Sequence, residues 1–295
     1  MLDENRESSI QNPTISRQNR GVIMQKWPFV VALVTVGICS MGFADEKTGD
    51  AETHPYFTSP LQISAGAFFP SFDTKISLDG DGGRVGTLMD MEHLLGLDDT
   101  ITTPIADIQW RINERHRLLF SYLNLDRDET KNLSRSINFG DQTYMASTNV
   151  KSQLDISVYR MGYDYSLFND GNRELGLGLA VDLMPVEASI QAAGLATETE
   201  DILLVVPTLG VHAAYGISKK LALIGRFNGV YFDFDTSSGS VLNPVVILEY
   251  NASEKVSVGA GYVYYRIDVE ADRSGFDGTI DFEYHGPLVY MKLLF

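Results

Sequence analysis

The sequence is poor in cysteine and in basic residues. Cys39 is the only cysteine of the 295 residues, and it lies in a segment that we expect to be removed, so the mature chain would hold none. Such a chain has no disulfide framework and is compatible with an oxidising compartment. The 39 Asp and Glu residues outnumber the 23 Lys and Arg residues. This balance argues against nucleic acid as a partner, because binding to it requires a basic face.

Long helical signals are also lacking. After the N-terminal region no stretch approaches the roughly 18 consecutive apolar residues of a transmembrane helix, and no extended 3.6-residue periodicity appears. The pattern that recurs has a period of two, which indicates β-strands. The chain also contains 26 Gly and 14 Tyr residues. Tyr favours strands, and Gly suits turns and closely packed strands.

The N-terminal region divides into three parts. Residues 24–44 combine Lys26, a short apolar core and small residues before Asp45, which is the pattern of a signal peptide cleaved at that point. Residues 1–23 add nothing that such a signal needs, so we interpret them as a mis-assigned N-terminal extension. Residues 45–59 are polar, and we predict a flexible periplasmic lead-in there.

Two other interpretations of this region remain open. The apolar core could be an N-terminal transmembrane anchor, although it is short for a span. It could also belong to a lipoprotein signal that ends at Cys39, although the bulky Ile38 before that cysteine does not fit the usual pattern.

Residues 60–295 contain ten segments with strand-like alternation. They lie at roughly 60–72, 102–112, 117–127, 152–167, 174–190, 202–216, 221–234, 241–250, 256–270 and 279–295. Short turns follow the second, fourth, sixth and eighth segments, at 113–116, 169–173, 217–220 and 251–255. The other connections are mostly longer, at 73–101, 128–151, 191–201, 235–240 and 271–278, and among them only 235–240 is short.

This asymmetry of connection lengths predicts the fold class. An outer-membrane barrel has short periplasmic turns, long extracellular loops and an even number of strands, with both termini in the periplasm. We therefore predict an all-β fold: a transmembrane antiparallel up-and-down β-barrel of ten strands. Eight strands with an extracellular hairpin is the alternative.

The two faces of the predicted strands differ in polarity. In "ILLVVPTLGVHAAY" one face is apolar from Leu203 to Tyr215, whereas His212 lies on the other face among small residues. Apolar faces are expected to contact lipid, and isolated charges among small residues suit a narrow lumen. The predicted polar network of the lumen is Asp107, Gln109, Arg111, Arg160, Asp164, Asp182, His212, Arg226, Asn228, Glu249 and Lys292. Such a network either fills the barrel or lines a narrow selective channel.

One strand departs from this pattern. In "SQLDISVYRMGYDYSLF" the apolar residues up to Val158 share one face of the strand, whereas those from Tyr159 onward lie on the opposite face. Either a β-bulge lies near Val158, or the upper part of this strand lies above the bilayer.

The chain ends in the strictly alternating strand "VYMKLLF". Val289, Met291, Leu293 and Phe295 are expected to face lipid, and Tyr290 and Lys292 to face the lumen. Together with a signal peptide, this ending resembles the C-terminal β-signal of outer-membrane barrel precursors, carried here by Tyr290, Met291, Leu293 and Phe295.

The stretch from Val258 to Phe295 further resembles Gram-negative outer-membrane β-barrel proteins. The resemblance implies the outer membrane as location, and outer-membrane lipid, lipopolysaccharide and the barrel assembly machinery as partners. It names no substrate and leaves the oligomeric state open.

The sequence contains several candidate catalytic and metal-binding residues, but none lies in a recognisable motif. Ten-stranded outer-membrane barrels include omptin proteases, which use paired Asp residues and an Asp–His pair at the rim. The candidates here are Asp126, Asp128, Asp233, Asp235, Asp268 and His285, and they match no motif convincingly. His212 has no neighbouring Ser in a recognisable motif. Asp79 and Asp81 in "LDGDGG" lack the full calcium-loop pattern.

The sequence thus predicts a non-enzymatic barrel with no cofactor and a largely filled lumen. Its role would be structural or in surface interaction through acidic loops. A small pore for small solutes is the first alternative. An outer-membrane hydrolase, omptin-like or lipid A-modifying, is the second.

Overall fold

The computed structural model describes residues 53–78, 87–139, 142–193, 195, 197–234, 237–273 and 276–295. The strands are β1 (Leu61–Phe68), β2 (Ser71–Leu78), β3 (Met89–Asp90), β4 (Thr103–Arg111), β5 (His116–Asn132), β6 (Ile137–Phe139), β7 (Gln142–Tyr144), β8 (Asn149–Asn169), β9 (Arg173–Ala192), β10 (Glu198–Ser218), β11 (Leu221–Phe234), β12 (Ser237–Ser253), β13 (Val256–Arg273) and β14 (Phe276–Leu294). A 3-10 turn spans Pro55–Phe57 and a π turn spans Met91–Leu95. Among these residues, no helix has the length and apolar character needed to cross a membrane.

Ten antiparallel strands form a closed barrel, in the order β1, β4, β5 and then β8 to β14. The barrel closes where β14 pairs with β1, as in the pair of Met291 with Ala65, so the prediction that the last strand pairs with the first is confirmed. After Phe69 and Pro70, β2 continues upward along β14, and β3 pairs with β2. The strands β6 and β7 form a separate hairpin. The ten-stranded prediction is therefore correct.

The connections differ between the two ends of the barrel. One end, here called the short-turn end, carries four tight turns at 112–115, 170–172, 219–220 and 254–255, together with Phe295. The opposite end is called the long-loop end. The four short turns match the sequence prediction.

The predicted loops at 191–201 and 271–278 are largely strand, because β9 runs to Ala192 and β13 runs to Arg273. The strands β8 and β10 each have 21 residues. This length is about twice the 9–11 residues that a tilted membrane strand needs. The long-loop half of the barrel therefore projects beyond a belt of membrane thickness.

In the short-turn half, the outer wall is apolar and the interior is polar. Outward side chains such as Leu177 and Leu209 are 50% and 69% exposed, whereas the inward Asp182 and Glu174 are buried. We call the apolar outer surface of this half the belt. It has the polarity expected of a wall that contacts lipid.

In the long-loop half this polarity is inverted. On β8 the residues of even number face inward from Val150 to Ser166, and Leu154 and Ile156 are fully buried there. The outward neighbours are polar, such as Gln153. The interior of this half is therefore apolar, which the prediction of a polar lumen did not anticipate. Pairing stays in register past Val158, and the only shift on β8 lies between Ser166 and Phe168, so there is no bulge near Val158.

Two segments inserted between barrel strands fill the interior of the long-loop half: β3 with the π turn, and the hairpin of β6 and β7. Met89, Leu95, Phe139 and Tyr144 are fully buried and join Phe282 and other barrel side chains in one apolar cluster. We call this cluster the upper core. The π turn begins with Asp90 as its N-cap and ends at Gly96 in the left-handed region.

A buried ion pair holds the π turn against the barrel. The guanidinium of Arg127 on β5 donates to Glu92 Oε1 at 2.6 Å and to Thr74 Oγ1 at 2.8 Å. The Thr74 N–H donates to Glu92 Oε2 at 2.9 Å. Because Thr74 lies on β2, these bonds join β2, the π turn and β5 across the part of the wall that β4 does not reach.

Candidate functional site

The charged side chains inside the short-turn half form a paired network. Asp164 on β8 accepts hydrogen bonds from Arg117 at 3.0 Å and from Arg226 at 2.9 Å. Glu174 on β9 accepts from Arg111 at 2.9 Å. The side chains of both carboxylates are at most 1% exposed. We call these five residues, together with His212, the lumen cluster.

A second group of pairs surrounds the lumen cluster. Arg160 donates to both oxygens of Asp182, at 2.6 and 2.7 Å. Lys292 forms an ion pair with Glu249 and donates to Gln62 at 3.2 Å. The hydroxyl of Tyr290 donates to the same Glu249 carboxylate at 2.6 Å.

Positive and negative charges balance in this part of the lumen. The five cations are ion-paired with four carboxylates, and the members are Arg111, Arg117, Arg160, Arg226, Lys292, Asp164, Asp182, Glu174 and Glu249. The fifth carboxylate, Asp107, lines the neighbouring cavity. Charges buried in a low-dielectric interior are tolerated when they are paired and hydrogen-bonded. A balanced set of this kind stabilises one shape of the barrel and offers no excess charge to attract an ion.

Two glycines make room for the cluster on β9. A Cβ atom on Gly176 would lie 2.4 Å from the His212 ring, and one on Gly178 would lie 2.7 Å from Asp164 Oδ1. The small residues that alternate along "ELGLGLAVDL" thus provide the space that the inward charges occupy.

The residues before β1 close the short-turn end from inside. The Tyr56 carbonyl accepts from Gln62 at 2.9 Å and from Arg111 at 3.3 Å, and the Tyr56 hydroxyl accepts from Arg117 at 2.8 Å. Phe57 packs with Ala214 and other apolar side chains. The 3-10 turn within the predicted lead-in over 45–59 has buried Tyr56 and Phe57 side chains. Residues 45–52 lie outside the described residues.

His54 caps this turn in its neutral form. It is fully buried, and its Nδ1 accepts the Tyr56 N–H at 3.2 Å. Burial is the main cause that lowers the pKa of His54 below its ordinary value of 6.5, and the nearby Glu249 opposes this shift. Since the folded form binds fewer protons than the unfolded form, the stabilisation by this cap is present above pH 6.5. It is lost as the pH falls below that value.

We therefore predict that acid releases the 3-10 turn. The hydrogen-exchange protection of the Tyr56 amide, corrected for intrinsic exchange, should fall as the pH drops through the ordinary pKa of 6.5. In His54→Asn the cap retains an acceptor that does not titrate, so protection should be independent of pH. A wild-type protection factor that is constant from pH 8 to about 5 would contradict the assignment of His54 as the titrating cap.

A cavity of about 210 Å³ lies between the lumen cluster and the upper core. Asp107, Gln109 and Asn228 line it. Gln109 Oε1 and Asn228 Nδ2 have no hydrogen-bond partner within the described part of the chain. A cavity of this size has room for several water molecules, each occupying about 30 Å³ in the liquid, and water beside its polar side chains would satisfy both atoms.

The structure places every residue of the predicted lumen network inside the barrel, but it divides them. Arg111, Asp164, His212 and Arg226 meet in the lumen cluster, whereas Arg160 with Asp182 and Lys292 with Glu249 form separate pairs. Asp107, Gln109 and Asn228 line the cavity. Of the predicted assembly signal, Tyr290 is buried, whereas Met291, Leu293 and Phe295 are exposed on the outer wall.

Sequence reasoning missed Arg117, Glu174 and Tyr56. Glu174 has the parity of Asp182, so extending the alternation along β9 would have found it. Arg117 opens a strand whose two faces are both largely apolar, and parity there is uninformative. Tyr56 lies in no periodic segment, and nothing in its neighbourhood signals burial.

The buried histidine is not arranged for nucleophilic catalysis. His212 Nε2 lies 3.3 Å from Glu174 Oε1, and the Ser166 hydroxyl donates to that same oxygen. In a catalytic triad the histidine stands between the serine and the acid. Here the carboxylate stands between the serine and the histidine.

The described rim candidates are distributed over four strands, and only Asp126 and Asp128 are neighbours on one face. Asp126 and Asp128 are exposed on the outer face of β5, Asp233 is exposed on β11, and Asp268 is on β13. His285 on β14 bonds the Tyr262 hydroxyl at 2.7 Å on the outer wall. Asp79, Asp81 and Asp235 lie outside the described residues. Among the groups that the structure describes, no cluster of three His, Cys, Asp or Glu side chains could hold a metal ion.

Acidic side chains line up across the outer wall of the long-loop half. Asp126 pairs across β5 and β8 with Asp155, Asp155 pairs with Glu187 on β9, and Glu187 pairs with Asp201 on β10. Like charges on directly opposite positions repel. This row, here called the acidic row, therefore gives the projecting wall a strongly negative potential.

Comparison with known proteins shows likeness in structure and none in sequence family. No family model and no curated protein matches the chain. Among solved structures, the chain is similar to the outer membrane protease OmpT of Escherichia coli, with a TM-score of 0.52 and 14% identity over 80% of this chain and 97% of that one.

Two further solved structures also match, with lower TM-scores. Neisserial surface protein A has a TM-score of 0.33 and 13% identity over 80% of this chain and 98% of that one. Ail of Yersinia pestis, solved with a heparin analogue, has a TM-score of 0.31 and 9% identity over 78% of this chain and 98% of that one. At these identities the likeness to OmpT is one of fold, and it agrees with the closed ten-stranded antiparallel barrel described above.

Proposed function

We propose that this protein is an integral outer-membrane barrel of a Gram-negative bacterium that conducts no solute and acts as a rigid surface scaffold for interaction. One observation carries the proposal: the polarity of the wall inverts at a single level. Below that level the outer face is apolar and suits lipid. Above it the outer face is polar and acidic, and the interior is packed like the core of a water-soluble protein.

The two ends support an orientation. Short turns belong to the periplasmic side of outer-membrane barrels and the longer connections to the outside. The short-turn end, with Tyr56 and Phe295, would then face the periplasm. The long-loop half would project from the cell surface, and its acidic row would attract partners with a cationic face.

The interior favours a scaffold over a pore. At the short-turn end the 3-10 turn bonds to Arg111, Arg117 and Gln62, and at the long-loop end the upper core leaves side chains such as Leu154 fully buried. A conducting form would have to displace both. The proposal likewise assigns no enzymatic activity, and the separation of the rim candidates, together with the position of Glu174 between Ser166 and His212, supports it.

Conductance measurements test the proposal. The full chain, recovered from outer-membrane fractions, should migrate as a compact species on gels unless it is boiled, as a folded barrel does. Reconstituted in planar bilayers, it should show no discrete openings. Stepwise conductance that disappears on boiling would contradict the filled lumen, and recovery in the soluble fraction would contradict the membrane assignment.

The terminal residue gives a separate prediction about biogenesis. Phe295 is exposed, and its main chain pairs with Leu61 at the seam of the barrel. If it belongs to an assembly signal, its deletion should strongly reduce the amount of heat-modifiable protein in the outer membrane. Deletion of an outward residue of similar exposure is unsuitable as a control because it shifts the register, so Leu209→Ala, at a 69% exposed belt residue outside the signal, serves instead, and we expect a smaller loss. Normal assembly of the deletion variant would contradict the role of Phe295.

A further inference from the structure

A groove interrupts the belt where β1 and β14 meet β13, β12 and β11. It is shallow and open to the outside, with a volume of about 720 Å³. Its outward-facing lining is almost entirely apolar and consists of Ala65, Ala67, Leu221, Leu248, Tyr250, Val258, Ala260, Val289 and Met291.

The depth of the groove follows from side-chain size. Its floor is formed by the small residues Ala65 and Ala260, whereas exposed larger side chains such as Leu248 and Met291 form its sides. On the inner side of the same wall Tyr290 lies so close that a Cβ atom on Gly259 would come within 2.2 Å of its ring. Tyr290 therefore packs against the inner side of this wall.

Two lysines lie in the tight turns at the short-turn end of the groove. Lys220 directly precedes Leu221, and its carbonyl accepts the Asn251 N–H at 2.7 Å, beside Tyr250. The carbonyl of Lys255 accepts the Leu294 N–H at 2.9 Å. Both lysines are exposed. Glu254 is in the same turn as Lys255, so the pair of lysines leaves a local excess of positive charge in a chain whose net charge is −16.

We propose that this groove binds one anionic glycerophospholipid, with an acyl chain along the floor and the phosphate at Lys220 and Lys255. The inference rests on the proposed membrane location. An amphipathic ligand matches both the apolar groove and the charge at its end, whereas a second copy of the barrel or a neutral lipid would use only the apolar part. Lysines at a membrane surface attract anionic headgroups, by about fivefold for each residue.

Native mass spectrometry tests the site. The full chain is purified from the outer membrane and reconstituted in nanodiscs that contain equal amounts of phosphatidylglycerol and phosphatidylethanolamine with identical acyl chains. One phosphatidylglycerol should stay bound after gentle release. Ala260→Leu, which fills the floor, should lower the retention of the lipid, and the double variant Lys220→Gln with Lys255→Gln should lower the preference for phosphatidylglycerol by about fivefold or more.

Ala213→Leu is the matched control, because Ala213 is an exposed small residue of the belt on β10, away from the groove. It should retain the lipid, and heat-modifiable migration verifies that each variant is folded. Equal retention of both lipids, or retention that Ala260→Leu does not change, would overturn the proposal. A dimer that Ala260→Leu abolishes would assign the groove to a second copy. Recovery of the protein in the soluble fraction would overturn the membrane assignment and the lipid site with it.

Discussion

Replacing Asp164 by Asn should lower the free energy of unfolding by about 3–5 kcal/mol. The substitution keeps the shape of the side chain and removes its charge. Arg117, whose side chain is 1% exposed, and Arg226 then share no carboxylate. Arg117 then keeps only Glu174, 3.6 Å away, and Arg226 loses its carboxylate partner, so part of the desolvation penalty of the two guanidinium groups is no longer compensated. The measurement is a denaturant titration of the folded barrel in detergent micelles, with gel migration as the readout.

The matched control is Asp73→Asn. Asp73 forms an ion pair with Lys75 at 2.8 Å, but its side chain is 60% exposed, and such pairs contribute about 0–1 kcal/mol. The slope of the titration should stay the same in both variants while the midpoint shifts only for Asp164→Asn. Equal midpoints for the two variants would mean that water reaches the lumen cluster.

The second large effect is expected in the upper core. Phe282 is 2% exposed, and its ring lies 6.2 Å from that of Phe72 and 5.6 Å from that of Tyr284. Phe282→Ala should reduce the free energy of unfolding by about 3–5 kcal/mol, because it removes apolar contacts and leaves a cavity. The expected structural result is faster proteolysis at the long-loop end, since the packing of the π turn depends on this core.

Tyr231→Ala provides the comparison for Phe282→Ala. Tyr231 is an aromatic residue of the outer wall and is 68% exposed, so its loss should change stability by less than about 1 kcal/mol. If Phe282→Ala were equally mild, the long-loop half would not contain a packed core, and the argument against a pore would lose its main support.

Parity along the strands predicted a large part of the fold. Val289 and Met291 face outward and Tyr290 and Lys292 face inward, as the alternation at the end of the chain indicates. The turn lengths predicted the even, ten-stranded barrel and the position of its two ends. These features follow from local geometry, since successive side chains of a strand point to opposite faces.

Parity did not predict the content of the long-loop half. On β8 Val158 and Arg160 share the inner face. The sequence left open a bulge near Val158 or an upper part above the bilayer, and the continuous register excludes the bulge. The medium around the outer wall changes between the two halves of the barrel. Outside the belt the wall meets water, so the outer positions become polar and the inner positions can be apolar.

The sequence also did not predict which charged residues pair with one another inside the lumen. Glu174 shares its parity with Asp182, but its pairing with Arg111, 63 residues away in the chain, depends on how the barrel closes and how its strands are staggered. The sequence around Tyr56 gave no indication of burial, because residues of other strands at the short-turn end bury this side chain.

The sequence by itself determined that strands alternate between a small, charged face and an apolar one, that they number ten, and that the last pairs with the first. Only the tertiary structure decided which charges meet, that the 3-10 turn closes one end, and that an apolar core closes the other. The physical reason is that alternation depends on each residue and its chain neighbours. Burial and pairing depend on closure, which brings together side chains from distant strands and sets whether lipid, water or protein surrounds them.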